Sequence, residues 1–296
     1  YHPALIVQFL EKHLETDLVA DGCDYGVLLP DTVSEGMAVL FFLHGGNGDR
    51  SFLKSMSAVI GDAIDAGDIE PLIVVTPSAR MSYYMDAIDG TERWESLLLG
   101  PLRDEVLSAY IADPNRQLIS GISMGGVGCL RLAFRHPDEF VATASLEPGI
   151  DPFLTLGDMP DWYKTTVDGR FGTRFGTPIN EEYWRAHNPA NIAEANPDRL
   201  RDSGLAIYLE VGTDDGLFNH HNTEFLHRVL FDHGIRHEYR NVLGANHIGK
   251  SMPGRVRDAL RFLGRTLDPP PPDVAADAFS KATLKGYADK GVTPPS

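Results

Sequence analysis

Seven short apolar runs, spaced widely along the chain, constrain its fold more than any other feature. They are YGVLLP (25–30), MAVLFFLHG (37–45), PLIVVTPS (71–78), QLISGIS (117–123), FVATASLEPG (140–149), LAIYLEVG (205–212) and HEYRNVLG (237–244). Most are continuously apolar instead of alternating, so as strands they must be covered on both faces. Helical patterns lie between them over 51–66, 92–111, 124–136, 219–234 and 250–265. This alternation predicts an α/β fold with a mostly parallel central sheet and helices on both faces. Two segments interrupt it. Residues 150–204 form a long insertion carrying Trp162, Tyr163, Phe171, Phe175 and Trp184. Connections of that length are often lids or binding loops, so the insertion is expected near the active site. The competing reading is that its aromatics pack a small core of their own. From Asp268 the run DPPPP forms a stiff extended spacer. It divides the chain into a single α/β domain over 1–267 and a proline-rich tail over 268–296, helical or disordered after the spacer.

At 296 residues and 43% hydrophobic, the chain has material for a sizeable core. A formal net charge of -16 disfavours nucleic acid and anionic membranes as partners. No apolar run approaches the roughly 20 residues that span a bilayer, and no signal-peptide pattern opens the chain. A cytoplasmic location is expected, although a start at Tyr1 without methionine leaves a removed signal open. The two cysteines, Cys23 and Cys129, lack zinc or redox spacing and read as small core residues. The oligomeric state is not readable, and a homo-oligomer is compatible with the composition.

The chemistry is written in LISGISMGGVGCL, residues 118–130. Gly121, Ser123 and Gly125 give G-x-S-x-G, with a predicted strand before and a predicted helix after. In that context the serine sits on a tight, strained turn, and small neighbours let backbone segments approach. Its hydroxyl is exposed above the carboxyl edge of the sheet. The N–H of Met124, at the helix start, points to the same place and can stabilise an oxyanion. A glycine-rich turn with a capping serine is the bland alternative, and the downstream residues argue against it.

A serine hydroxyl needs a base, and the base needs an orienting carboxylate, in the chain order Ser, acid, His. His247, in LGANHIGKS, follows the last predicted strand and sits in a loop that can reach the serine. His220, His221, His227, His233 and His237 fall on a helix or its edges. The pair His220 and His221 has no third ligand at zinc spacing, so no metal site is expected. Asp214 and Asp215, in LEVGTDDGLF, follow the preceding strand, and Asp215 is favoured as the acid, with Glu147 in SLEPG a third candidate. The second oxyanion donor is expected from FFLHGGNGD (41–49): the N–H of Gly46, with Asn47 next.

Together, YGVLLP, LHGGNGD, SYYMDAIDG, ISGISMGGVGCLRLAFRHPDEF, VGTDDGLF and GANHIGKS resemble an α/β-hydrolase over roughly residues 24–265. More narrowly, they resemble the esterase group that includes esterase D (S-formylglutathione hydrolase), feruloyl and acetylxylan carbohydrate esterases, and mycolyltransferases. The resemblance implies a serine esterase with no cofactor, acting on a small-molecule or carbohydrate-linked ester. The G-T-x-D turn of that group matches VGTDDGL and selects Asp215; its first oxyanion loop selects Gly46. SYYMDAIDG corresponds to a segment near the acyl site, so Tyr84 or its neighbour Tyr83 is expected to line it. Asn47, Trp162 and Trp184 are further candidates for substrate contact. ANHIGKS is closer to the carbohydrate-esterase pattern than to the formylglutathione hydrolases. An acyltransferase with the same triad, or an S-formylglutathione hydrolase-like thioesterase, is the alternative activity.

Overall fold

Eight strands form one sheet: β1 (Gln8–Leu14), β2 (Cys23–Leu29), β3 (Val39–Leu43), β4 (Ile73–Pro77), β5 (Gln117–Ile122), β6 (Ala142–Leu146), β7 (Ala206–Gly212) and β8 (Glu238–Val242). Their order across the sheet is β1-β2-β4-β3-β5-β6-β7-β8. The first two pairings are antiparallel and the remaining five are parallel. The structure, a computed structural model, describes residues 8–172 and 174–293. The helices are α1 (Ser51–Asp65), α2 (Trp94–Leu99), α3 (Pro101–Ala109), α4 (Met124–Arg135), α5 (Asp161–Phe171), α6 (Glu181–Arg185), α7 (Pro189–Ala195), α8 (Pro197–Asp202), α9 (Asn219–Asp232), α10 (Met252–Leu267) and α11 (Val274–Ala288). This is the α/β-hydrolase architecture, with a mostly parallel sheet sandwiched between helices.

The continuous apolar runs are the buried central strands. Every residue of β3, β4, β5 and β6 is buried. Successive side chains of a strand point to opposite faces, and β3 divides accordingly. Val39, Phe41 and Leu43 join one core with Val127, Leu130, Ala193 and Leu226 of α4, α7 and α9. Leu40 and Phe42 join the other, with Ile60 of α1 and Val256 and Leu260 of α10. Full burial of such a side chain contributes about 1.5–3 kcal/mol, so one alternation stabilises both helical layers.

The periodicity argument missed β1. Its sequence, QFLEKHL, is largely polar and mostly exposed, and it pairs with β2 at the sheet edge, where one face needs no apolar cover. The helix expected over 92–111 is two helices, broken at Gly100 (φ -117, ψ -109), with Pro101 opening the second. Pro lacks the amide that would continue the first helix and suits a helix start. The tail holds α11, capped by Asp273, which accepts from Ala276 N–H at 3.0 Å; none of its residues is buried. Among the described residues, no helix is long and apolar enough to cross a membrane. Cys23 and Cys129 are free and buried, and burial pushes both thiols up to about 12.

The insertion packs inward. Met159, Tyr163, Phe171, Phe175 and Trp184 belong to the same core as α4. Trp184 is fully buried, and its indole Nε1–H donates to Asp151 Oδ2 at 2.7 Å. Asn188 Nδ2 also donates to the Asp151 carbonyl, at 3.1 Å. Trp162, by contrast, is 69% exposed and rests on Tyr163.

Three outcomes follow for stability. A Cβ on Gly125 would overlap the Leu43 carbonyl, which is backbone and cannot move aside; Gly125→Ala should destabilise by about 3 kcal/mol or more in denaturant unfolding. Trp184→Ala should cost about 3–5 kcal/mol through the cavity and the lost hydrogen bond to Asp151 Oδ2. Trp162→Ala should stay within about 0.5 kcal/mol.

Candidate active site

Ser123 is the single residue between β5 and α4, and its backbone is left-handed (φ 58, ψ -114). A non-glycine residue there is strained by about 1–3 kcal/mol and persists only when its surroundings enforce it. They do. Ser123 N–H donates to Leu146 O at 2.9 Å, and Ser123 O accepts Val127 N–H at 3.0 Å. Gly121 and Gly125 come close enough that a Cβ on Gly121 would strike the Gly125 backbone. The hydroxyl is thereby held above the carboxyl ends of the parallel strands.

His247 lies in the loop between β8 and α10. Its Nε2 is 2.9 Å from Ser123 Oγ, and its Nδ1 is 2.9 Å from Asp215 Oδ2. Asp215 is 2% exposed, in the turn after β7, and its Oδ1 accepts Leu217 N–H at 2.6 Å. The turn and the histidine loop are pressed together: a Cβ on Gly212 would overlap Ala245 O. Asp214, beside it, is exposed and bonded to Thr213 Oγ1 at 2.9 Å, so the two aspartates separate cleanly. Burial alone would raise the Asp215 pKa. Hydrogen bonds from His247, Glu147 and the Leu217 N–H, with attraction from His247, outweigh it and hold the carboxyl well below the usual range. A carboxylate facing Nδ1 favours the tautomer with Nδ1–H, which leaves Nε2 as acceptor for the serine proton.

The loop after β3 is fixed by His44, which is 1% exposed. Its Nδ1–H donates to Gly45 O at 2.6 Å, and its Nε2 accepts Ala79 N–H at 2.9 Å. Burial lowers its pKa and keeps it neutral, as those two bonds require. Asn47 N–H is engaged with Arg80 O at 3.0 Å, and Gly48 N–H with Gly45 O at 3.1 Å. Gly46 therefore suits an oxyanion donor better than Asn47. Met124 N–H, first in α4, has no acceptor within its helix.

Gly46, Asn47, Ser123, Met124 and His247 share one cavity of about 700 Å³. The rest of its wall is mainly apolar: Phe52, Met56, Met81, Tyr83, Leu217 and Ile248 among others. Three expected contacts are elsewhere. Tyr84 is completely buried, and its hydroxyl donates to His44 O at 3.0 Å, so it supports the loop from beneath while Tyr83 faces the cavity. Trp184 is in the core, and Trp162 is exposed away from the cavity. No described residue of 150–204 lines it. The insertion backs its wall instead: Phe171 packs on Tyr83 at 4.4 Å, and Arg174 Nε donates to Met81 O at 3.3 Å. Leu217 and Ile248, which sequence reasoning missed, stand two and one residues beyond Asp215 and His247, and that adjacency was the available signal. Met81 carried none.

Glu147, Asp215 and His247 bring their ligand-type atoms within 4.8 Å of one another. The cluster already has its cation, since the Arg255 guanidinium bonds Glu147 directly. Asp215 and His247 are committed to each other. The donor set thus suits a hydrogen-bonded acid–base pair better than a metal ion.

Comparison with known proteins places the chain in a family. Residues 22–248, more than half of the chain, match the model of the Esterase family, described as "Putative esterase". The chain is similar to Esterase Rv1288 of Mycobacterium tuberculosis (strain ATCC 25618 / H37Rv), 26% identical over 245 residues, covering 74% of this chain and 51% of that protein. It is also similar to the S-formylglutathione hydrolase of Bos taurus, 24% identical over 231 residues, covering 70% and 75%. The chain spans about half the length of the first of these relatives. A solved ferulic acid esterase shares the fold, with a TM-score of 0.71 and 18% identity over 88% of this chain and 99% of that one. On the match over residues 22–248, the protein belongs to the Esterase family of α/β-hydrolases.

Proposed function

We propose that the protein is a serine carboxylic-ester hydrolase in which Ser123, His247 and Asp215 act as a triad. The observation that carries this reading is the unbroken chain from Asp215 through His247 to Ser123, with both links at 2.9 Å, opening into a cavity. Ser123 Oγ attacks the ester carbonyl carbon as His247 Nε2 takes its proton. Asp215 stabilises the resulting imidazolium and keeps the ring oriented. The carbonyl oxygen, now an oxyanion, is received by the N–H groups of Met124 and Gly46, each such donor typically worth about 3 kcal/mol. His247 returns the proton to the leaving alcohol, and an acyl-Ser123 ester remains. Water repeats the sequence with the same base and frees the acid and the serine.

The wall chemistry supports a neutral substrate with an apolar acyl group. Apart from His247, the lining residues are uncharged, and Phe52, Met56, Met81, Leu217 and Ile248 offer aliphatic, aromatic and thioether surface. Flexible methionines adapt to irregular apolar shapes. A glutathione thioester carries carboxylates that would find no lysine or arginine in this lining. The S-formylglutathione hydrolase alternative is disfavoured on that ground.

The test is hydrolysis of p-nitrophenyl acetate through octanoate, methyl ferulate and S-formylglutathione. Ser123→Ala should lower kcat by about 10⁴-fold or more, and Asp215→Asn by about 10⁴-fold. Fluorophosphonate labelling should vanish in Ser123→Ala; retained activity in that variant sinks the triad. Among wild-type substrates, kcat/KM should rise with acyl length by roughly 10–200-fold per well-seated methylene at most. A preference for S-formylglutathione would overturn the neutral-substrate reading while leaving the triad intact.

A further inference from the structure

Behind the Asp215–His247 pair lies a second carboxyl group that the mechanism above leaves idle. Glu147 follows β6, is fully buried, and has a left-handed backbone (φ 51). Its main chain is held on two sides: Glu147 N–H donates to Glu210 O at 2.8 Å, and Glu147 O accepts Asn219 Nδ2–H at 3.2 Å. Its Oε1 accepts Gly212 N–H at 3.0 Å and a bond from Arg255. Its Oε2 is buried, lies 4.0 Å from His247 Nδ1, and meets no donor as an ionised oxygen.

We propose that Glu147 is a positioning residue: a neutral carboxylic acid whose Oε2–H donates to the Asp215 carboxylate and aims it at His247. The proposal rests on the serine-esterase reading. Charge balance supports it. The groups facing Glu147 are Asp215 beyond β7, Glu210 on β7, His247 in the last loop and Arg255 on α10. Arg255 Nε and Nη2 both reach Glu210 Oε1, at 2.7 and 2.6 Å, and Nη2 also bonds Glu147. One guanidinium thus faces three buried carboxyls. Keeping all three carboxyls ionised in this buried place is costly, which favours a bound proton. Asp215 has donors on both oxygens, from His247 and Leu217 N–H. Glu147 Oε2 and Glu210 Oε2 are both buried without a donor, and of the two it is Glu147 that clusters with Asp215 and His247. Burial, then the contact with Asp215, push the Glu147 carboxyl up to about 9 against the pull of Arg255.

A neutral donor suits the reaction. A second anion beside Asp215 would over-stabilise the imidazolium and hinder return of its proton to the leaving alcohol. A carboxylic acid at this place fixes Asp215 without adding charge.

The test compares wild type, Glu147→Gln, Glu147→Ala and Ser123→Ala, measuring kcat and KM on p-nitrophenyl butyrate and Tm across about pH 5–10. Gln keeps an N–H donor for Asp215 and an oxygen for Gly212 and Arg255, but cannot ionise. It should retain roughly a third or more of wild-type kcat, whereas Ala should lose about tenfold or more in kcat with KM within about twofold. The wild-type change in kcat near pH 9 should be missing from Gln. For stability, the folded chain keeps a proton that the unfolded chain releases above its ordinary value of 4.5. Wild-type stability therefore falls as pH rises from there towards about 9, and the Tm of Glu147→Gln should gain on wild type across that window. A Gln variant as impaired as Ala, or a Tm difference that is flat with pH, overturns the proposal. The Tm series needs no activity, so it decides the protonation of Glu147 even if Ser123→Ala stays active and the triad reading fails. It also serves if Glu147→Ala does not fold.

Discussion

The backbone of Gly125 packs against the carbonyl of Leu43, and much of the site depends on that approach. It joins the first turn of α4 to the carboxyl end of β3. It thereby brings three things to one point: the strained Ser123, the free amide of Met124 and the loop carrying Gly46. No side chain fits in the gap. The close approach helps to hold Ser123 in a left-handed conformation that it would leave if the two segments could separate. Strain at Ser123 is thus maintained by packing of glycine on backbone, deep in a fold whose central strands are all buried.

The remaining site groups arrive from loops at the same edge of the sheet, each locked by neighbours that never meet a substrate. His44 ties its loop to Ala79, and Tyr84 supports that loop from below. Leu217 N–H fixes Asp215, and Asn246 Oδ1 accepts His247 N–H at 2.7 Å. Such supporting bonds fix the groups around the cavity in advance, as a preorganised site requires. The buried acid side extends the same logic. Arg255 from α10 joins Glu147 and Glu210, so that helix both covers one face of the sheet and balances charge behind the histidine.

The insertion has a different part from the one its aromatic content suggests. Its rings complete the core beside α4 and brace the cavity wall through Phe171 and Arg174. The cavity is lined by Leu217 and Ile248, beside Asp215 and His247, and by Phe52, Met56, Met81 and Tyr83 from other parts of the chain. Substrate preference should therefore respond to Met81, Leu217 and Ile248 more than to the tryptophans.

The sequence by itself determined the α/β layering, because short continuous apolar runs that alternate with helical patterns fit strands covered on both faces. It also determined the serine turn, because G-x-S-x-G between strand and helix has few other uses. The short spans around Asp215 and His247 were legible for a related reason: each lies just past a strand end, and strand ends of a parallel sheet converge at one edge. The antiparallel β1 was not legible, since a mostly exposed edge strand needs no apolar pattern. The choice between Tyr83 and Tyr84 was decided by which side chain the fold turns inward, and adjacent residues of like chemistry cannot report that. The fate of Trp184 and the meeting of Glu147 with Arg255 across 108 residues were decided by tertiary packing alone. Burial and charge compensation are properties of a three-dimensional neighbourhood, and no local pattern along the chain encodes them.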